Sequence, residues 1–148
     1  MSKIIEQVNK DKYCLVIVNE KEHGGIILDM IKKNSSIWAY FIHGDKTSME
    51  RQMALSDFKE KEVQVLIATS ILDEGVDVSG INCVFLAGGG KSMRMILQRI
   101  GRGLRRKEGD NQLIVYDFLD RFNDFLEDHS EERLKVYKEE QFDIVTEK

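Results

Sequence analysis

Gln98, Arg102 and Arg105 stand in the run Gln98-Arg-Ile-Gly-Arg-Gly-Leu-Arg105. Their spacing of i, i+4 and i+7 puts all three on one face of a helix or helical turn. Two guanidinium groups and an amide aimed the same way form a donor array for phosphate oxygens. Guanidinium suits that task because it is planar, permanently charged and bidentate. Gly101 and Gly103 remove side-chain bulk beside the array and allow close approach. The surrounding charge points the same way. Lys91, Arg94, Arg99, Arg102, Arg105, Arg106 and Lys107 fall in one segment with no acidic residue among them, while all 26 acidic residues lie elsewhere and the chain carries a net charge of −4. A solvated helix face mixes signs. A concentrated basic segment on an acidic body marks a site for an anionic partner.

A second segment, Ala68-Thr69-Ser70-Ile-Leu-Asp73-Glu74-Gly75-Val-Asp77, follows an apolar run. The Thr69 and Ser70 hydroxyls can bond a nucleic-acid phosphate, or one of them can cap a helix. Gly75 permits a tight turn, and Asp77 can accept from a ribose hydroxyl. Two look-alike motifs fail. Gly88-Gly-Gly-Lys91-Ser92 has Phe85 where a phosphate-binding P-loop needs its first glycine. It reads as a strand-to-helix turn whose exposed N–H groups could at most dock an anion. Asp73 and Glu74 are separated from the strand end by Thr69-Ser70, unlike a magnesium-holding acidic box. Without a phosphate-cradling lysine loop or a metal-holding carboxylate, this chain alone is not expected to hydrolyse ATP. No GxGxxG follows the first strand, which disfavours a dinucleotide enzyme. With two cysteines and three scattered histidines, no metal centre is expected.

These loops need a scaffold. A chain of 148 residues with 42% hydrophobic content supports one compact domain. Apolar runs alternate with helical patterns: strands at Tyr13–Val18, Ile37–Ile42, Val63–Ala68, Ile81–Ala87 and Gln112–Leu119, and helices at Glu20–Lys33, Thr47–Lys61, Ser92–Gly103 and Arg121–Glu140. Thr47 or Ser48 is the expected cap of the second helix, whose inward face is Met49, Met53, Ala54, Leu55 and Phe58. The last helix should bury Phe122, Phe125, Leu126, Leu134 and Tyr137, against this domain or another one. Strands apolar on both faces and separated by helices predict a doubly wound, mostly parallel α/β sheet covered on both sides. Ligands then bind beyond the carboxyl ends of the strands. Residues 1–148 form a single domain in this reading, with 1–12 as an N-terminal extension and 120–148 as a C-terminal helix and tail. Cys14 and Cys83 lie in apolar runs and read as reduced core thiols. No apolar run reaches the ~20 residues that span a bilayer, and MSKIIEQVNK has no signal-peptide core. The expected setting is cytoplasmic, in a bacterial or phage-infected cell, with no membrane partner.

Taken together the segments resemble the second RecA-like domain of superfamily 2 helicases. Val16-Ile-Val-Asn19 resembles the motif that opens that domain. Phe41-Ile-His43-Gly44-Asp45 with Arg51 resembles its "HG…R" segment, Ala68 to Asp77 its "AT…GxD" motif, and Gln98 to Arg105 the arginine-finger motif QxxGRxxR. The Asp73-Glu74-Gly75 triplet and the tail His129 to Tyr137 resemble the DNA-repair branch, which includes phage recombination-repair helicases. The resemblance implies a RecA-like three-layer α/β/α fold lacking its own P-loop. It further implies that Arg102, Arg105 and Gln98 act on the γ-phosphate of ATP, and that Gly75 and Asp77 line the nucleotide side of the cleft. Thr69 and Ser70, with Asn19, His43 and Gly44, would follow a nucleic-acid backbone, DNA rather than RNA. ATP with Mg²⁺ would be held mainly by a first RecA-like domain absent from this chain. A different reading is a stand-alone, non-enzymatic module that binds nucleic acid or protein through the Lys91–Lys107 segment.

Overall fold

The structure, a computed structural model, describes residues 1–69, 81–88, 95–98 and 112–147. The elements run α1 (Ser2–Val8), β1 (Cys14–Ile17), α2 (Lys21–Asn34), β2 (Ala39–Ile42), α3 (Ser48–Lys59), β3 (Val65–Ala68), β4 (Cys83–Leu86), β5 (Ile114–Tyr116) and α4 (Asp124–Glu139). Residues 95–98 add a helical turn. The strands form one sheet in the order β2-β3-β1-β4-β5, and every pairing is parallel. The doubly wound α/β reading is therefore correct.

Strand β1 is central, and Cys14 to Val18 are all buried. Alternate side chains feed two cores, as a pleat of period two requires. Leu15 and Ile17, with Leu66, Val84 and Leu86 of the neighbouring strands, pack against Ala54 and Phe58 of α3, Ile96 and Leu97, and Val136 and Tyr137 of α4. Cys14 and Val16, with Val65, Ile67, Cys83 and Phe85, pack against Ile4 and Val8 of α1 and Ile31 of α2. Each large aliphatic side chain removed from water contributes about 1.5–3 kcal/mol. This two-sided burial is why the strand runs read as continuously apolar. Cys14 and Cys83 are direct register partners on adjacent strands, both free and buried. A hydrogen bond between the two thiols, together with burial, pushes the Cys83 thiol up, so it stays protonated.

Several expectations are corrected. Residues 1–12, read as an N-terminal extension, carry α1, which buries Ile4, Gln7 and Val8. The i, i+4 pair Ile4 and Val8 was the available signal. Strand β2 begins at Ala39 rather than Ile37. The Trp38 N–H is taken by the Gln64 side chain, and the Trp38 ring is exposed. In α3, Ala54 and Phe58 are buried and Leu55 is half-buried, but Met49 (71% exposed) and Met53 face solvent. The stripe is narrower than the apolar composition implied. In the last helix the chain turns in at Asn123, whose side chain accepts from the Leu126 N–H at 2.9 Å. Phe122 therefore precedes the helix, and it is 89% exposed. Phe125 is exposed as well, its ring 4.2 Å from that of His129, while Leu126 and Leu134 are half-buried and Tyr137 is buried. The fifth strand is confined to three residues. The expected helix over 92–103 lies outside the described residues apart from 95–98.

The expected cap of α3 is present. Thr47 accepts from the Glu50 N–H at 3.1 Å and its own N–H donates to the Glu50 carboxylate at 2.8 Å, a complete capping box. Those bonds hold the Glu50 carboxyl below the usual range. Thr47→Ala is expected to cost about 1 kcal/mol of stability, read from the shift in urea midpoint at unchanged slope.

Candidate functional site

The carboxyl ends of the strands lie flush. Cys14 pairs with Val65 and with Cys83, and Val65 pairs with Ala39, so the strands on either side of β1 end in step with it. Three further hydrogen bonds tie the first residues beyond the strands to their neighbours. The Val18 N–H donates to Ala68 O at 2.9 Å, the Thr69 N–H to Ile42 O at 3.3 Å, and the Ala87 N–H to Ile17 O at 2.8 Å. Thr69 and His43 follow β3 and β2 directly, and Asn19 stands one residue further out, past Val18 at the end of β1. Because the sheet order is β2-β3-β1, His43 and Thr69 emerge level on neighbouring strands at a spacing of ~4.8 Å, in step with Val18, and Asn19 follows one residue beyond that level. Sequence reasoning had named each one separately; the register brings them together.

Their surroundings differ. Thr69 is buried, Asn19 is exposed and His43 is half-buried. The His43 ring leans on Phe41, with centroids 4.8 Å apart. The Phe41 ring in turn occupies the space a side chain at Gly24 of α2 would need. Glycine at that helical position lets Phe41 pass beneath α2 and back the histidine. His43 Nδ1 is buried with no hydrogen-bond partner among the described residues. The His43 carbonyl closes a turn by accepting from the Lys46 N–H at 3.0 Å. Gly44 lies exposed in that turn, where a Cβ would meet nothing. Asp45 forms an ion pair with Lys21 at the start of α2, which ties the β2–α3 loop to the β1–α2 end. The Lys21 hydrogen bond holds the Asp45 carboxyl below its usual value. Arg51 contacts the Ser48 hydroxyl at 3.4 Å.

Gln98 is half-buried in the helical turn 95–98, next to Ile96 and Leu97, which join the core shared with α3 and α4. Arg102, Arg105, Gly75, Asp77 and Ser70 lie outside the described residues, as does most of the basic segment. Among the described residues no group of three His, Cys, Asp or Glu side chains could hold a metal ion, and no helix is long and apolar enough to cross a membrane.

The β4–β5 half of the rim is different. It opens into a cavity of about 580 Å³, lined among others by Ile27 and Met30 of α2, Phe85 of β4, and Phe118 and Leu126. Lys3, His23, His129 and Arg133 also line it, so its wall mixes apolar surface with polar side chains.

One feature there was not foreseen. Asp117, the first residue past β5, receives Arg133 Nε at 2.8 Å and the Tyr137 hydroxyl at 2.9 Å, both on Oδ2. Arg133 is only 3% exposed. Its other nitrogens donate to Phe118 O at 3.1 Å, His129 O at 3.3 Å and Ser130 Oγ at 3.3 Å. The i, i+4 pair Arg133 and Tyr137 within an apolar stripe was the only sequence signal, and charge composition hid it. The network docks the acidic C-terminal helix on this domain. Burial, and the Asp117 charge beside it, push the Tyr137 hydroxyl above its ordinary 10.0.

Comparisons with known proteins give a consistent set. The helicase conserved C-terminal domain family matches residues 1–107. Irc3 of Schizosaccharomyces pombe, named as a mitochondrial ATP-dependent helicase, is 31% identical over 116 residues, covering 78% of this chain and 19% of its own. The DNA 3'-5' translocase XPB2 of Sulfurisphaera tokodaii is 40% identical over 65 residues, 44% of this chain and 15% of its own. Proteins named as RNA helicases match as well. The crystal structure of T4 UvsW superposes with a TM-score of 0.74 at 25% identity, over 97% of this chain and 32% of that one. The chain thus spans about a fifth of its first curated relative.

Removing the Asp117 carboxylate would strand a buried guanidinium. Asp117→Ala is expected to cost about 3–5 kcal/mol, measured by urea unfolding. The tyrosine has its own signature. Its folded value is raised, so its contribution to stability is intact below the unfolded value of 10.0 and is lost as pH rises through the folded one. The stability gap between the wild-type chain and Tyr137→Phe should narrow above pH 10, followed by denaturation at a series of alkaline pH values.

Proposed function

The chain belongs to the helicase conserved C-terminal domain family, and on that premise we propose that it is the second motor domain of an ATP-dependent superfamily 2 DNA helicase or translocase. In this reading ATP sits between this domain and a first RecA-like domain, joined in cis or supplied in trans. The observation that carries it is the flush carboxyl rim, which sets Thr69 and His43 level on adjacent strands with Asn19 one residue beyond the end of the neighbouring β1 extension. A hydroxyl and an imidazole at one level, with an amide close beyond, suit a sugar-phosphate backbone and carry little base preference.

Arg102 and Arg105 reach the γ-phosphate of ATP held by the other domain, Gln98 helps place it, and Asp77 meets the ribose beside Gly75. The support for these roles is the QxxGRxxR and GxD spacing. Arginine fingers supply ~10³–10⁵ in rate by stabilising charge on the transferring phosphoryl group, and they act only when two domains close. Closure is thereby coupled to ATP and opening to hydrolysis. Because Thr69 and the nearby rim residues ride on the same rigid sheet, each cycle shifts the grip along the strand. DNA is favoured by Asp73-Glu74-Gly75 and Gln98, by the T4 UvsW likeness and by the relative named as a DNA translocase. A role in DNA repair or recombination follows from the same branch.

Mixing the chain with a first RecA-like domain carrying a P-loop tests the proposal. Strand-stimulated ATP hydrolysis is expected, and in the joined motor Arg102→Ala or Arg105→Ala should abolish turnover while leaving nucleotide binding largely intact. Normal turnover in either variant would overturn the finger assignment. Oligonucleotide binding without any restored hydrolysis would favour the stand-alone binding module instead. The isolated chain should show no ATPase and weak single-strand binding that falls steeply with salt.

A further inference from the structure

Phe118, Leu119, Phe122 and Phe125 fall between the end of β5 and the first turn of α4, and all four side chains are exposed. Apolar residues scattered singly over a surface are ordinary; a contiguous group is not. Local structure gives no reason for this one. Phe122 directly precedes the cap Asn123, a place from which an apolar side chain often packs on the residue four past the cap, but that residue is Glu127. Nor is the turn loose. The Asp120 N–H donates to Ser130 Oγ at 3.1 Å, the Phe122 N–H to Asp120 Oδ1 at 3.0 Å, and Arg133 holds the Phe118 carbonyl. The rings are therefore presented on a fixed backbone, which spares a partner the cost of ordering it. Beside them, the cavity lined by Phe118 and Leu126 has room for an apolar side chain from outside.

Charge decides what covers the rings. Asp124, Glu127, Asp128, Glu131 and Glu132 surround them along α4, with no lysine or arginine in that stretch. Asp128 and Glu132 stand three and seven residues on from Phe125, on the same helix face. Such a run of like charge repels a nucleic-acid strand or a polyphosphate, and two copies of this face would repel each other. A protein surface with an apolar centre and a basic rim fits it. Strand β5 is parallel to β4, so the turn leaves the sheet at the same carboxyl edge as Thr69 and His43. That edge is the one the motor reading turns toward its first domain. T4 UvsW matches 97% of this chain with only 32% of its own, so in that protein the matching domain shares one molecule with further segments. We propose that the Phe118–Phe125 turn docks the first RecA-like domain, through an apolar, basic-rimmed surface of that domain. The identity of the partner rests on the motor reading.

The test titrates a first RecA-like domain carrying a P-loop into the fluorescein-labelled chain. Association is read by anisotropy, ATP turnover is followed in the same mixtures with oligothymidylate, and each variant is melted. Phe122→Ser and Phe125→Ser are expected to weaken association roughly 10- to 100-fold, the loss typical of aromatic anchors at interfaces. Their melts should match the wild type, because both rings are exposed. Turnover should recover at saturating first domain, whereas Arg102→Ala stays inactive there. Asp128→Lys should weaken association at low salt and less so at high salt. Trp38→Ser removes an exposed ring at the opposite, amino end of β2 and should change nothing. Wild-type affinity in both phenylalanine variants or in Asp128→Lys, an equal loss in Trp38→Ser, or no association by the wild-type chain would overturn the proposal. Self-association abolished by Phe122→Ser, without first-domain binding, would overturn it in favour of a second copy. Turnover that ignores the aromatic residues would leave the motor reading intact and sink the docking surface. Aromatic-dependent association without turnover in the wild-type pair would do the reverse.

Discussion

The parallel ladder around β1 sets everything at the rim. Hydrogen bonds between parallel strands are evenly spaced, so strands of equal length paired without offset must end together. Here β2, β3, β1 and β4 are each four residues long and pair without offset. The bonds from Val18, Thr69 and Ala87 to neighbouring carbonyls carry that alignment one step past the regular strands. Loops that are far apart in sequence therefore begin at one level. A slip of one residue in any pair would turn its inward side chains outward and stagger the polar residues beyond them. The buried core and the functional edge are two consequences of one register.

The ladder is rigid because both faces are covered. The α1 and α2 side and the α3 and α4 side bury alternate residues of the same strands, leaving no lateral freedom for a strand to shift. On the second of these faces the last helix is held by a polar lock as well as by packing. Asp117 is held between Arg133 and Tyr137 just past β5. Burying such a charge is tolerable only because Arg133 also satisfies the Phe118 and His129 carbonyls and the Ser130 hydroxyl. The cost of an incomplete network is high, which gives the helix one seat rather than several. A domain that must move as a unit against a partner gains from that stiffness at its edges.

Glycines refine the rim. At Gly24 the missing side chain admits Phe41, which backs His43. At Gly88 it admits Asn19. In both places the missing side chain leaves room for a group from another segment of the chain to approach closely. The β4–β5 half has a cavity whose wall mixes Ile27, Met30, Phe85 and Phe118 with Lys3, His23, Asp120 and His129.

Much of this was legible in the residues themselves. Continuous apolar runs separated by helical stripes implied a parallel sheet covered on both sides, because only strands buried on both faces can dispense with polar residues. The Thr47 cap was readable because its hydrogen bonds span three residues of chain. The motif segments pointed to the helicase family through order and spacing alone. What required the folded chain were the contacts between residues distant in sequence. That Phe122 and Met49 face solvent, that Arg133 is buried on Asp117, that Gly88 lies close against Asn19, and that Thr69 and His43 share one level all depend on where strands pair and helices dock. Local chemistry dictates which elements form and which residues could bind an anion. Only long-range packing decides which of them meet, since a pattern of residue types carries no record of the partner across the sheet.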